Sequence, residues 1–236
     1  MSVEYTLAEL EKRIGYEFCN KELLKQAVTH TSYTNEQKIN KQKHYERLEF
    51  LGDAVLELLT SRFLFEQYPD KPEGQLTKMR ASMVCEPALA FCAKDLELGR
   101  FLRLGKGEEG SGGRERDSIV ADVMEAIIGA IYLDGGLEKA DEYVHRVLFS
   151  DLENKQLFFD SKSNLQEYIQ AQHESDFAYE LLDEIGPEHD KRFIVGAMLG
   201  GTLLGKGSGK TKKAAEQQAA YEALLKLRAK SGKDKK

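Results

Sequence analysis

HYERLEFLGDAVLELL, from His44 to Leu59, sets three carboxylates on one side of an otherwise apolar segment. Glu46, Glu49 and Asp53 are spaced i, i+3, i+7, so at about 100° per residue they fall within roughly 60° of one another on one helix face. Leu48, Leu51, Val55, Leu58 and Leu59 take the opposite face, and Phe50 projects beside the acids rather than into the leucine side. DSIVADVMEAIIGAIYLDGG, from Asp117 to Gly136, repeats the pattern. Asp122 and Glu125 are i, i+3, Gly129 stacks above Glu125, and Met124, Ile127, Ile128 and Ile131 turn away. Two acidic faces can therefore meet across a helix pair.

Like charges at these spacings cost a helix a few tenths of a kcal/mol per pair. Crowding them at a buried seam costs more unless cations neutralise them. Carboxylates without His or Cys suit a hard, oxygen-preferring ion, Mg²⁺ or Mn²⁺. A solvated acidic helix face is the ordinary explanation of a single i, i+3 acidic pair. Two such sets embedded in apolar helices, with an aromatic beside one of them, argue against it.

The stretch ERLEFLGDA, Glu46 to Ala54, resembles the signature of the ribonuclease III family, and ADVMEAIIGAIYLDGG, Ala121 to Gly136, is similar to the second half of that family's active site. LLKQAVTHTSY (Leu23 to Tyr33) and EGQLTKMRASMV (Glu73 to Val84) extend the resemblance across most of the first 150 residues.

Composition sets the frame for this resemblance. A chain of 236 residues holds one large domain or two modest ones. It has no run of 18 apolar residues, and MSVEYTLAELEKR at its start is charged and periodic, so a soluble, cytoplasmic protein with no membrane partner is expected. Cys19, Cys85 and Cys92 are odd in number and lack zinc-type spacing, which predicts buried free thiols in a reducing compartment. The formal charge of −6 is unevenly spread. Lys206 to Lys236 carries 10 Lys+Arg against 3 Asp+Glu, leaving 24 against 37 in the residues before it. An acidic body with a basic end suits a nuclease that holds its polyanion at one place and cuts it at another.

From Leu7 to about Leu152 the apolar pattern has the 3.6-residue period, as in PALAFCAKDLEL (Pro87 to Leu98), and predicts an all-α domain over residues 1–153. GKGEEGSGG, Gly105 to Gly113, reads as a mobile surface loop before the second acidic helix. Residues 154–161 read as a linker. Over 162–230 the order is α-β-β-β-α: a helix at Ser163 to Gln172, strands in FAYELLDEIG, RFIVGAMLGG and TLLGKGSG, and a last helix from Lys212 to Leu227. This α+β segment resembles the double-stranded-RNA-binding domain, and 231–236 reads as a basic tail.

GKGSGKTKKAAEQQAA, Gly205 to Ala220, invites comparison with an ATP-binding P-loop and fails it. Gly205 and Gly209 enclose three residues where the pattern needs four, and position 204 is Leu. Lys212 and Lys213 instead lie in the first turn of the last helix, where the dipole disfavours cations, and breaking that local rule points to function. With Lys210 and free backbone N–H groups they form a phosphate clamp.

The resemblance implies a Mg²⁺-dependent endoribonuclease, with Mn²⁺ as substitute, that cuts double-stranded RNA and leaves 5′-phosphate and 3′-hydroxyl ends with short 3′ overhangs. Glu49, Asp122 and Glu125 would ligate metal, Asp53 and Glu125 would be the catalytic pair, and Glu46 would support the cluster. Gln166, Glu167 and His189 would meet the minor grooves, with Lys210, Lys212 and Lys213 on the phosphates between, reading A-form shape over about 16 base pairs. The family is a homodimer, with Phe50 inserting into the partner, and its work is processing of ribosomal-RNA precursors and some messenger and transfer RNAs. The alternative is a noncatalytic duplex-RNA-binding protein on the same fold, which loss of any acidic position would favour; all five stand. A DNA-cutting metal nuclease fits less well, because the terminal module's contacts depend on the 2′-hydroxyl.

Overall fold

A computed structural model describes residues 6–38, 43–150, 161–172, 176–186, 191–209 and 211–231. The chain divides into two compact units, 1–151 and 152–236.

The first unit is helical. Two long helices form its centre, α4 (Glu46–Gln67) and α8 (Asp117–Val144). Around them lie α1 (Leu7–Ile14), α2 (Lys21–Ala27), α3 (Thr31–Glu36), α5 (Glu73–Val84), α6 (Glu86–Asp95) and the short α7 (Lys106–Gly110). Helix α8 is the most deeply placed. Val123, Met124, Ala126, Ile127, Ile128, Ala130 and Ile131 are all fully buried, as expected of a helix that is apolar nearly all round. It bends at Gly136, whose φ of 83° and ψ of −178° are not helical. Just before the bend the Asp134 carboxylate accepts from the backbone N–H groups of Cys19 and Asn20 and from the Tyr16 hydroxyl, each at 2.8 Å, which ties the α1–α2 turn to α8.

Helices α4 and α8 meet backbone to backbone. A β-carbon placed on Gly52 would lie 1.8 Å from the Glu125 carbonyl oxygen, and one on Gly129 would lie 2.3 Å from that of Leu48. Glycine at both positions lets the two backbones touch, so the residues one turn away, Glu49 and Glu125, are brought face to face.

The second unit has α9 (Ser161–Ala171), an antiparallel sheet in the order β1 (Phe177–Ile185), β2 (Arg192–Leu199), β3 (Thr202–Gly209), and α10 (Lys212–Ser231). Both helices join one core, in which Leu165 and Ile169 meet Ala197, Ala219, Ala220, Ala223 and Leu224. The register slips at Leu182, between the pairs Leu181↔Val195 and Asp183↔Ile194. The alternate glycines of β3 face α10. β-Carbons on Gly205 and Gly207 would come within 2.2 Å of the Ala219 and Ala215 carbonyl oxygens. The glycine repeat that imitates a nucleotide loop is thus a packing surface for a helix backbone. Above it, Gln218 and Glu222 accept the β3 backbone N–H groups of Ser208 and Lys206 at 2.9 and 2.5 Å.

Several expectations are corrected. Leu58, assigned to the apolar face of α4, is 56 % exposed, and Phe65 further along is 74 % exposed. The Gly105–Gly113 stretch folds into α7, and the Arg114 guanidinium beyond it donates to the Gly99 and Leu102 carbonyls at 3.0 and 2.8 Å. Side-chain hydrogen bonds to backbone, invisible to a composition rule, hold what was read as a loop. Cys92 is buried, but Cys85 is only half-buried and Cys19 is exposed, on the turn that Asp134 caps. Ser161, read as the end of the linker, is the buried first residue of α9, with its hydroxyl donating to the Gln217 carbonyl at 2.9 Å. Residues 154–160 of the expected linker, and 232–236 of the tail, lie outside the described residues. Among the described residues no helix is long and apolar enough to cross a membrane.

The glycine crossing is testable by opposite signs. Gly74, in α5, has open space around its α-carbon, so Gly74→Ala is expected to stabilise the protein by up to about 1 kcal/mol through helix propensity alone. Gly52→Ala carries the same propensity gain but meets a backbone carbonyl, and is expected to destabilise by about 1 to 3 kcal/mol net, as overpacking does. Urea unfolding of both variants checks this.

Candidate metal centre

At the α4–α8 crossing three carboxylates converge. Glu49, Asp122 and Glu125 each offer an oxygen within 4.8 Å of the others, and all three are half-buried. This is the geometry of a group that a cation can bridge, and no Lys or Arg pairs with these acids in the ion pairs formed by the described residues. Their charges are correspondingly disfavoured. Burial, then Asp122, Glu46 and Asp53, push the Glu49 carboxyl up to about 7. Burial, then Asp53, Glu49 and Asp122, push that of Glu125 up to about 8. Asp122 is also raised, by burial above all, against the opposing hydrogen bond from Tyr45.

Asp53 and Glu46 stand at the solvent edge, outside this close group. Asp53 is nonetheless the charge that Glu125 feels most strongly, and Glu46 contributes to both Glu49 and Asp122. Phe50 lies on the same helix with 80 % of its surface exposed.

The sequence reading missed Tyr45. Its hydroxyl donates to Asp122 Oδ2 at 3.2 Å, and its backbone N–H donates to the Thr29 carbonyl at 3.0 Å. A Thr29–Arg103 bridge fixes that carbonyl, with His30 N–H donating to the Arg103 carbonyl at 3.1 Å. Glu57 and Glu86 add to the negative field at Glu125 and Asp122. Glu57 is itself held by Arg80, at 2.7 Å. The signal for Tyr45 was a polar-tipped aromatic directly before the acidic face.

In the second unit Gln166 and Glu167 are exposed, on the side of α9 away from buried Leu165 and Ile169. Lys212 and Lys213 are exposed in the first turn of α10, where the Thr211 hydroxyl caps the helix by accepting the Ala214 N–H at 3.1 Å. Lys212 Nζ lies 5.7 Å from the centre of the Phe193 ring. His189 and Lys210 lie outside the described residues.

Residues 20–152 match the family model described as Ribonuclease-III-like, and residues 161–227 match the double-stranded RNA binding motif. The chain belongs to the ribonuclease III family. Ribonuclease 3 of Listeria monocytogenes is 49 % identical over 221 residues, spanning 93 % of this chain and 96 % of that one. Ribonuclease 3 of Caldanaerobacter subterraneus is 51 % identical over 228 residues, spanning 94 % and 98 %. The crystallised nuclease domain of ribonuclease III from Campylobacter jejuni is 43 % identical, covers 61 % of this chain and 96 % of its own, and superposes with a TM-score of 0.57; a region of that domain is described as involved in dimer formation. The ribonuclease III chain is accordingly an endoribonuclease for double-stranded RNA, with a helical nuclease unit and an α-β-β-β-α binding unit.

The raised carboxyls have a stability consequence with a definite sign. A carboxyl whose folded pKa lies above its unfolded value contributes stability below the unfolded pKa, near 4.5, and loses it as pH climbs through the folded value. For Glu49 and Glu125 that window closes at about 7 and about 8. Metal-free protein is expected to melt at a lower temperature at pH 8.5 than at pH 5.5, through a contribution of order 1 to 2 kcal/mol after solvent screening. Glu125→Gln should flatten that slope, and added Mg²⁺ should restore stability to the wild type at pH 8.5 more than to the variant. Calorimetry in chelator and in Mg²⁺ measures both.

Proposed function

We propose that Glu49, Asp122 and Glu125 hold the divalent metal of this endoribonuclease, Mg²⁺ with Mn²⁺ as substitute, and that Asp53 and Glu125 are its catalytic pair. The observation that carries the reading is the convergence of three half-buried carboxylates within 4.8 Å at a backbone-to-backbone helix crossing. The donor set fits: oxygen ligands only, on rigid helices, with an excess of negative charge that a hard cation can neutralise. A divalent ion held by Glu49, Asp122 and Glu125 would supply Lewis acidity at the scissile phosphate and would lower the pKa of the attacking water.

The chain's own groups do the rest. Glu125, half-buried at the crossing, takes part in both metal binding and the catalytic pair. Asp53, exposed beside it, faces incoming substrate and can accept a proton. Glu46 adds to the field that draws the cation in. Cleavage leaves 5′-phosphate and 3′-hydroxyl ends with short 3′ overhangs.

Two centres, one per strand, suit a duplex with approximate two-fold symmetry, and homodimerisation supplies them. Phe50, Leu58 and Phe65, all exposed on α4, support an apolar partner surface, with Phe50 seated in the partner. The binding unit engages duplex RNA through Gln166, Glu167 and His189 at ribose edges and Lys210, Lys212 and Lys213 at phosphates. Precursor ribosomal RNA, with some messenger and transfer RNAs, is the cytoplasmic substrate.

Glu125→Gln should abolish cleavage of a labelled duplex while its gel-shift affinity stays at the wild-type level; near-normal cleavage would sink the assignment. Replacing Lys212 and Lys213 together by Ala should weaken binding about equally across sequences, because phosphate contacts position without specifying. The salt slope of log K should shrink by roughly 0.7 to 0.9 per lost phosphate contact. Titrations at several salt concentrations would reveal an unchanged slope, and with it the failure of the clamp.

A further inference from the structure

Tyr45 is the residue before α4 and is 4 % exposed, yet its side chain makes no cap for that helix. Its position is set from two sides. The backbone N–H is held by the Thr29 carbonyl at 3.0 Å, and the ring lies 5.7 Å from that of His30, centre to centre. Held in this way, the hydroxyl crosses from the start of α4 to α8 and donates to Asp122 Oδ2 at 3.2 Å.

The terminal torsion of an aspartate is broad and roughly two-fold, so an unrestrained Asp122 would sample many orientations of its carboxylate. Fixing one oxygen by a hydrogen bond removes that freedom. A ligand ordered in advance does not have to be ordered when the cation arrives, which is how hydrogen-bond partners behind metal ligands raise affinity.

We infer that Tyr45 is a positioning residue for the metal cluster, its hydroxyl holding the Asp122 carboxylate in the orientation that brings it together with Glu49 and Glu125. The inference rests on the metal-site reading above and concerns metal affinity rather than RNA recognition. A purely structural Tyr45 would act through its ring, which packs in the core. The positioning role belongs to the hydroxyl alone.

The test is Mn²⁺ binding to the purified full chain, followed by the electron paramagnetic resonance signal of free Mn²⁺. Wild type, Tyr45→Phe, Asp122→Asn, the double variant and Glu125→Gln are compared, with melting temperatures taken in chelator. Tyr45→Phe keeps the ring. It should raise the Mn²⁺ dissociation constant by about 10- to 100-fold, the range for losing a ligand's hydrogen-bond partner. In the Asp122→Asn background the same substitution should add nothing, because the two act as one unit. Unchanged Mn²⁺ affinity in a Tyr45→Phe protein with an intact melting temperature would overturn the inference, as would an undiminished effect in the Asp122→Asn background. If wild type binds no Mn²⁺, or Glu125→Gln binds it equally well, the metal-site reading itself fails and takes the inference with it.

Discussion

Backbone contact at Gly52 and Gly129 brings α4 and α8 closer than any side chain at those positions would permit. Two helices separated by ordinary side chains pack with their axes about 8 to 10 Å apart, with bulk between them. Here that bulk is missing at the point where the acids need to meet. Glu49 lies three residues before Gly52, and Glu125 lies four before Gly129 and supplies the carbonyl that Gly52 meets, so the separation of the carboxylates follows from the separation of the backbones.

The electrostatic arrangement is graded by depth. Glu125 and Glu49 are raised most, chiefly by burial, while Asp53 and Glu46 remain in contact with solvent. Local ion pairs operate elsewhere: Arg80 holds Glu57, and Arg62 holds Asp141 at 2.5 Å. Among the described residues the Glu49, Asp122 and Glu125 cluster has no Lys or Arg partner, although the unit pairs acids freely around it.

Much of the site was legible because helical spacing is rigid. From Glu49, Asp122 and Glu125 alone the periodicity assigns a common side of each helix, and the folded chain brings those sides together. Leu58 was misplaced because it lies on the side of α4 that also exposes Phe50, Ala54 and Phe65, whereas Leu59 and Leu64 beside it are buried, and periodicity marks an apolar residue without telling whether a neighbour covers it. Tyr45 left only a faint signal, a polar-tipped aromatic directly before the acidic face. Its role depends on a contact 77 positions along the chain, and a buried aromatic before a helix ordinarily signals core packing. In the binding unit the order of helices and strands was readable, as was the departure of the β3 glycine repeat from the spacing of a nucleotide loop. Its reason, a helix backbone pressed onto alternate residues of a strand, needs tertiary structure to be seen. Arg114 shows the same limit in the other direction, since glycine-rich composition does not reveal the guanidinium that organises it.

The same strand has another property. A sheet of three strands normally exposes two rows of unpaired backbone groups, each a template for a foreign strand. In this sheet Gln218 and Glu222 reach down from α10 to occupy the outward N–H groups of Ser208 and Lys206. Two donors of the β3 edge are thus occupied by side chains of the helix that packs on it, so at those two positions the edge is a poorer template for a foreign strand.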